Sequence, residues 1–217
     1  MRVVSGTARG RRLKAPAGRR TRPTSDKVKE ALFDLLEIEK RDCLVLDLFA
    51  GSGALGIEAL SRGARGAVFV EQDLLALRFL RANLEKCSML DRAKVVKADA
   101  IRFLQRGSSG TRFGVVLADP PYEKGLALRC LWAVEKGEWL EKEGVLALEH
   151  SIREELPESS EALVRIKLRR YGETCISLYE MAKSPNLDYS PKPLTLGATP
   201  PSPCSRFGIS RVKQGPN

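Results

Sequence analysis

The chain is poor in the residues that metal and disulfide chemistry require. Its 217 residues include one histidine, His150, and five cysteines, Cys43, Cys87, Cys130, Cys175 and Cys204. The cysteine count is odd and no C-x-x-C pair occurs, which argues against a disulfide framework and a structural zinc site; no metal is expected. Cys43, Cys130 and Cys175 stand among apolar neighbours and read as small buried hydrophobes. Nothing near His150 completes a triad or a ligand set, so a structural role is expected of it. No apolar run approaches the ~20 residues of a membrane-spanning helix, and no hydrophobic segment follows the basic N-terminus. The expectation is a cytoplasmic protein with no membrane partner. There is no internal repeat. The length suits one domain with a full core and a small appendage, with a monomer favoured.

Acid is scarce at one end. Residues 1–29 hold ten basic side chains and one acid, Asp26, so nearly all of the formal net charge of +10 sits there. Arginine dominates this stretch, and its planar guanidinium matches phosphate bidentately. Arg2, Arg9, Arg11, Arg12 and Arg22 are therefore candidate contacts to a polyanion. A solvated basic tail is the alternative reading.

The chain divides into three zones. Residues 1–23 are rich in Gly, Arg and Pro and suit a hairpin or arm. Residues 24–183 form the main domain. It opens with a helix that Thr24, Ser25 or Asp26 can cap, with Val28, Leu32, Leu35 and Leu36 on one face. Strands are predicted at Leu44–Phe49, Ala67–Glu71, Ala93–Lys97, Gly114–Ala118 and Val145–Glu149. Helices are predicted between them at Leu55–Arg62, Leu74–Cys87, Ala100–Gln105 and Leu126–Leu140. Such alternation reads as an α/β fold, a mainly parallel sheet covered on both faces. Leu163–Leu168 and Cys175–Tyr179 then read as an antiparallel hairpin. Trp132 and Trp139 fall in the last helical stretch and are read as core or helix-packing residues rather than a base platform. Residues 184–217 carry seven of the twelve prolines without periodicity, and disorder is expected there.

Gly51-Ser52-Gly53-Ala54-Leu55-Gly56 follows a strand and opens a helix. Glycines there let the backbone turn tightly against a ligand, and the helix start offers unpaired amides and a positive dipole end. Glu71 ends the second strand, where a carboxylate can accept from both ribose hydroxyls. A nicotinamide dehydrogenase shares these features. Two further acids shift the balance to S-adenosyl-L-methionine: Asp47, inside the first strand, is placed to meet a methionyl ammonium, and Asp99, closing the third, to meet the adenine amine. Phe49, Ser52 and Ala100 join this candidate cofactor set.

Asp119-Pro120-Pro121-Tyr122 follows the fourth strand, at the sheet edge where open α/β folds bind ligands. An aryl amine is a poor nucleophile because its lone pair is delocalised into the ring. Accepting its N–H bonds on the Asp119 carboxylate and the Pro120 carbonyl favours a pyramidal nitrogen that can attack a methyl group. Tyr122 can stack on the base. The bland alternative is a Pro-Pro turn with a solvent-facing acid.

With Arg2-Val3-Val4-Ser5-Gly6, Arg11-Arg12-Leu13, Arg22-Pro23-Thr24 before Ala31-Leu32-Phe33, Asp47 to Gly53, and Asp119 to Tyr122, residues 1–183 resemble the RsmD-type family of bacterial 16S rRNA guanine-N2 methyltransferases. The resemblance implies a class I S-adenosylmethionine-dependent methyltransferase fold: Rossmann-like, with a seven-stranded mainly parallel sheet ending in an antiparallel hairpin, and a small N-terminal hairpin that helps engage RNA. It implies methylation of N2 of a hairpin-loop guanine, nucleotide 966 of 16S rRNA, on an assembled or assembling small ribosomal subunit. By position, Asp119 and Tyr122 match its catalytic motif, and Glu71 and Asp99 its ribose and adenine contacts. Residues beyond 183 depart from the family. The clamp alone also suits an adenine-N6 methyltransferase, and a non-catalytic RNA-binding assembly factor is the alternative outside enzymes.

Overall fold

In a computed structural model, residues 1–16, 26–122 and 125–182 are described. The predicted disordered tail, Arg22 and the candidate caps Thr24 and Ser25 lie outside these residues. The chain runs α1 (Asp26–Leu36), β1 (Leu44–Leu48), α2 (Ala54–Ser61), β2 (Gly66–Glu71), α3 (Leu74–Lys86), β3 (Ala93–Lys97), α4 (Ala100–Leu104), β4 (Phe113–Ala118), α5 (Leu126–Lys136), β5 (Leu140–Ser151), β6 (Leu163–Tyr171) and β7 (Thr174–Met181).

The strands form one seven-stranded sheet in the order β3-β2-β1-β4-β5-β7-β6. β1 to β5 pair in parallel, and β7 runs antiparallel to both β5 and β6. Continuous apolar runs such as Val115-Val116-Leu117 are buried on both faces, as a parallel sheet between helical layers demands. One core packs α1, α2 and α3 against the face carrying Val45, Phe69, Val115 and Leu117. The other packs α4 and α5 against Leu46, Val70, Val116 and Leu146. Exposed lysines and arginines mark both sheet edges, Lys94 and Lys97 on β3 and Arg169 and Arg170 on β6, which blunts edge-to-edge pairing.

The last predicted helix is corrected. It ends at Lys136 rather than Leu140, because Gly137 caps it and Glu138 turns back at φ 51°. Trp139 then enters the core, stacked on Phe103 at 5.0 Å and Phe113 at 6.1 Å, with its indole N–H donating to the Leu104 carbonyl at 3.1 Å. Trp132 is corrected too. At 47% exposed it is not a core residue.

Residues 1–16 pack on α2 and α3. An antiparallel bridge joins Arg2 to Arg12, and Val3, Ala8 and Leu13 are buried. Glu58 of α2, fully buried, accepts from the Val4 and Ser5 amides at 2.8 and 2.9 Å. The same carboxylate faces two buried cations, Lys29 at 3.2 Å and Arg62 at 3.0 Å. His150 is buried, its Nε2 2.9 Å from Ser177 Oγ and its Nδ1 between the Ser151 and Glu154 carbonyls. A ring nitrogen facing two carbonyls carries the proton. Cys43, Cys87, Cys130 and Cys175 are buried and free.

Candidate functional site

The strand order reverses between β1 and β4. From β1 the chain winds outward through β2 and β3, then returns to lay β4 on the other side of β1. Ligand crevices of open α/β sheets open at such a switch point, outside the carboxyl ends of the strands. Leu48 is paired with Ala118, so the turn after β1 and the turn after β4 leave the sheet side by side. The glycine segment and Asp119-Pro120-Pro121-Tyr122 are those two turns.

The first turn is tightly built. Phe49, Gly51 and Gly53 all have positive φ, at 58°, 56° and 83°, and Phe49 adopts this conformation against the preference of a bulky side chain. A Cβ on Gly53 would stand 2.2 Å from Leu80 Cδ1, and one on Gly56 2.3 Å from Phe69 Cε1. Both positions exclude a side chain, so the loop can fold onto α3 and β2 and leave its backbone toward the crevice. Gly53 supplies no side-chain cap to α2, which leaves the Ala54 and Leu55 amides at the helix start available to a ligand.

The acids at the strand ends hold this turn. Asp47, 1% exposed, accepts from the Gly56 amide at 2.8 Å through Oδ2. Burial pushes its carboxyl up to about 7, against the Gly56 hydrogen bond and helped by the nearby Glu71 charge. Glu71 accepts from the Gly51 amide at 2.8 Å and from the Gln72 and Asp73 amides at 2.8 and 2.7 Å. Asp99 caps α4 through Oδ1, accepting from the Arg102 amide at 2.9 Å, with Ala100 buried behind it. Ser52 is buried, and its carbonyl accepts from Asn83 at 2.9 Å. Asn83 also bonds both the amide and the carbonyl of Lys14, joining the N-terminal segment to the glycine turn.

At the second turn, Pro120 is buried and Asp119 half-buried. The Asp119 carboxyl is held well above the usual carboxylate range, first by burial, then by the charges of Glu149 and Asp47. The Tyr122 hydroxyl donates to Glu149 Oε1 at 2.9 Å and lies 2.8 Å from Thr174 Oγ1. Burial is the main cause raising its phenol.

Glu149, 7% exposed, was not singled out in the sequence. It lies near the end of β5 as Asp99 lies just beyond β3, which was the available signal, but its nearness to Asp119 depends on β4 and β5 being neighbours. Thr174 reaches Tyr122 because β7 begins where β5 ends, with Thr174 opposite Ser151. Asp47, Glu71, Asp119 and Glu149 crowd four carboxyls at the rim, an environment suited to a cationic ligand and to the N–H bonds of an amine.

The arginines divide. Arg2 pairs with Asp26 at 2.9 Å and Arg11 donates to the Lys86 carbonyl. Arg9 and Arg12 are exposed and form no ion pair among the described residues. Among the described residues no cluster suits a metal ion, and no helix is long and apolar enough to cross a membrane.

Residues 1–180 match the family model described as "Conserved hypothetical protein 95". The protein YlbH of Bacillus subtilis (strain 168) is 40% identical over 181 residues, covering 83% of this chain and 98% of that one. Ribosomal RNA small subunit methyltransferase D of Escherichia coli (strain K12) is 39% identical over 157 residues, covering 72% and 78%. The solved structure of Escherichia coli yhhF superposes with a TM-score of 0.74 at 36% identity, over 83% of this chain and 97% of that one. SMU.776, solved in complex with SAH, shares the fold alone, at 13% identity and a TM-score of 0.57 over 72% and 49%.

Proposed function

The chain belongs to the Conserved hypothetical protein 95 family, which is the RsmD family, and from that membership we propose that it methylates the exocyclic N2 of a guanine in 16S rRNA, at hairpin-loop nucleotide 966, using S-adenosyl-L-methionine. The observation that carries this reading is the pairing of β1 with β4, which brings the glycine turn beside Asp119-Pro120-Pro121-Tyr122. Relatives named as rRNA methyltransferases support the RNA substrate, and a fold neighbour carrying SAH supports the cofactor.

The residues fit that cofactor. Gly53 and Gly56 let the turn close onto Leu80 and Phe69, the Ala54 and Leu55 amides that open α2 are left for a carboxylate, and Glu71, Asp99 and Asp47 offer acceptors to ribose, adenine and ammonium. Phe49, Gly51, Ser52 and Ala100 complete the wall. When bound, the cofactor supplies an electrophilic methyl group. Asp119 and the Pro120 carbonyl accept the two amine N–H bonds and hold the nitrogen pyramidal, Asp119 is the nearest acceptor for the proton the nitrogen loses, and Tyr122 stacks on the base. Burial and like charges raise the Asp119 carboxyl, and a cationic ligand bound at the rim would favour its ionised form. The guanine reaches this rim unstacked, as a loop or flipped nucleotide. Arg9 and Arg12 hold the flanking phosphates on an assembled or assembling small subunit, with Arg2, Arg11 and Arg22 as the further candidate contacts read from the sequence.

The test supplies methyl-labelled S-adenosylmethionine to small ribosomal subunits lacking the modification, followed by digestion of the RNA and identification of the nucleoside. N2-methylguanosine is expected. N6-methyladenosine would replace the guanine assignment, and no label in RNA would overturn the function.

A further inference from the structure

A groove of about 420 Å³ lies between α4 and α5, on the sheet face opposite α1, α2 and the docked N-terminal segment. That volume lies in the range of ligand pockets, about 300 to 1,000 Å³. Its charged lining residues are all cations, Arg106, Arg129 and Lys136, and none of them forms an ion pair among the described residues. Trp132 lines the same groove and is 47% exposed.

The placement follows from helix geometry. Arg129, Trp132, Ala133 and Lys136 stand at i, i+3, i+4 and i+7, a single stripe on α5. The core-facing stripe is a different set, Ala127, Cys130, Leu131 and Val134, all buried. The exposed indole shares its stripe with three cations that have no ion pair among the described residues, and an anion joining them would relieve their mutual repulsion. An aromatic face ringed by cations suits a nucleobase attached to phosphate: the base stacks on the indole and the cations meet the backbone.

The stripe belongs to the element that comes after the clamp in the chain. α5 is the helix that follows Asp119-Pro120-Pro121-Tyr122, and Arg129 lies in its first turn after Gly125. From Arg129 to Lys136 the stripe runs about 10 Å down the helix. An RNA strand following α5 away from Gly125 would meet Arg129, then Trp132, then Lys136.

We propose that the α4–α5 groove is a single-stranded RNA subsite, with Trp132 stacking a base that flanks the target nucleotide and Arg106, Arg129 and Lys136 holding its phosphates. The inference rests on the RNA substrate of the function proposed above, and it assigns a path to the RNA on the face away from the basic N-terminal segment.

Trp132 is its own probe, because the second tryptophan, Trp139, is buried at 4% exposed. The full-length chain is titrated with a short unstructured oligoribonucleotide of mixed sequence while tryptophan fluorescence is followed at several salt concentrations. Quenching of the Trp132 emission is expected, absent in Trp132→Leu, with affinity for the oligonucleotide about tenfold weaker in that variant. The triple change R106Q/R129Q/K136Q should lower the salt slope by about 2, at about 0.7 per cation on a single strand, while S-adenosylmethionine binding stays unchanged. Unquenched Trp132, or equal RNA affinity and salt slope in the variants, would overturn the subsite. Equal quenching by a nucleoside monophosphate at the same concentration would also overturn it, in favour of a free-nucleotide site. Methyl transfer by the wild-type chain is read in parallel: quenching without transfer leaves the subsite standing and removes the proposed reaction.

Discussion

The Tyr122 hydroxyl and the Glu149 carboxylate are 2.9 Å apart, one donating to the other, and this bond ties the last residue of the clamp to the strand beside it. Thr174, 2.8 Å from the same hydroxyl, completes the anchor from β7. The tyrosine ring is thereby held at one orientation before any base arrives, which lowers the entropy lost on stacking. Tyr122→Phe keeps the ring and removes the anchor. It leaves the buried Glu149 short of a donor, so it should lower stability by about 1–3 kcal/mol. RNA-substrate KM should rise more than kcat falls in steady-state methyl transfer, because the lost ordering acts on base binding.

Glu149 also acts on Asp119 through charge. Asp119 is raised by burial first and by Glu149 second, and the protonated acid is a poor acceptor for an amine N–H. Methyl transfer should therefore fall on the acid side through an apparent pKa above the ordinary aspartate value of about 3.9. Glu149→Gln keeps a hydrogen-bond acceptor for Tyr122 and deletes the like charge, so the acid limb should move to lower pH. A pH–rate profile under single-turnover conditions measures it; an unmoved limb would show that Glu149 does not act on the titrating group.

The same shift has a stability consequence of fixed sign. A carboxyl whose folded pKa lies above its unfolded value stabilises the fold below the unfolded pKa, and that contribution is lost as pH rises through the folded value. Above the unfolded pKa, Asp119 thus weighs against folding. Asp119→Asn should melt at a higher temperature than the wild type at pH 8, with the gap closing toward pH 4. It should lose methyl transfer by about a hundredfold or more and still bind cofactor. Asp47, pushed up to about 7, follows the same sign, its stabilising contribution fading between about pH 4 and 7. Full activity in Asp119→Asn would remove the clamp mechanism.

What the sequence made legible was what local pattern encodes. Gly51 to Gly56 sits between a strand-like apolar run and a helical one, so a strand–turn–helix reading needs no tertiary knowledge. Asp119 to Tyr122 follows a run as plain. The neighbourhood of Asp119 was not legible, because Glu149 and Thr174 reach the clamp only through the order β4-β5-β7, which no single segment specifies. Trp132 was misplaced for a different reason. Its type suggested burial, while the 3.6-residue period puts it on the stripe of Arg129 and Lys136 rather than that of Cys130 and Leu131. Helix α5 was overextended because Leu140 continues an apolar pattern past Gly137, where the chain already turns into β5.

The arginines near the N-terminus should not behave alike. Arg9 and Arg12 are exposed without an ion pair among the described residues, whereas Arg2 is held by Asp26 and Arg11 by the Lys86 carbonyl. Replacing Arg9 and Arg12 with glutamine should lower the salt slope of RNA binding by about 0.7 for each cation on a single strand and leave the melting temperature unchanged. Arg11→Gln should act mainly on stability. Filter binding across a salt series, paired with thermal melts, separates the two groups; equal slopes for all variants would show that Arg9 and Arg12 touch no phosphate.

Glu58 decides whether the N-terminal segment is docked at all. Its carboxylate takes the Val4 and Ser5 amides and neutralises Lys29 and Arg62, all within the interior. Removing it strands the buried Lys29, a loss of about 3–5 kcal/mol for one missing partner of a buried pair, while Arg62 keeps Asp34 at 3.5 Å and Glu39 at 3.3 Å. Glu58→Ala should therefore melt early and release residues 1–16 to proteolysis. Pairing Glu58→Gln with Lys29→Met deletes one stranded cation and should recover part of the loss. Amide exchange at Val4 and Ser5 reports the docking directly: fast exchange in Glu58→Ala with slow exchange restored in the double variant is the expected pattern. Slow exchange in Glu58→Ala would mean that the apolar contacts of Val3, Ala8 and Leu13 suffice to hold the segment.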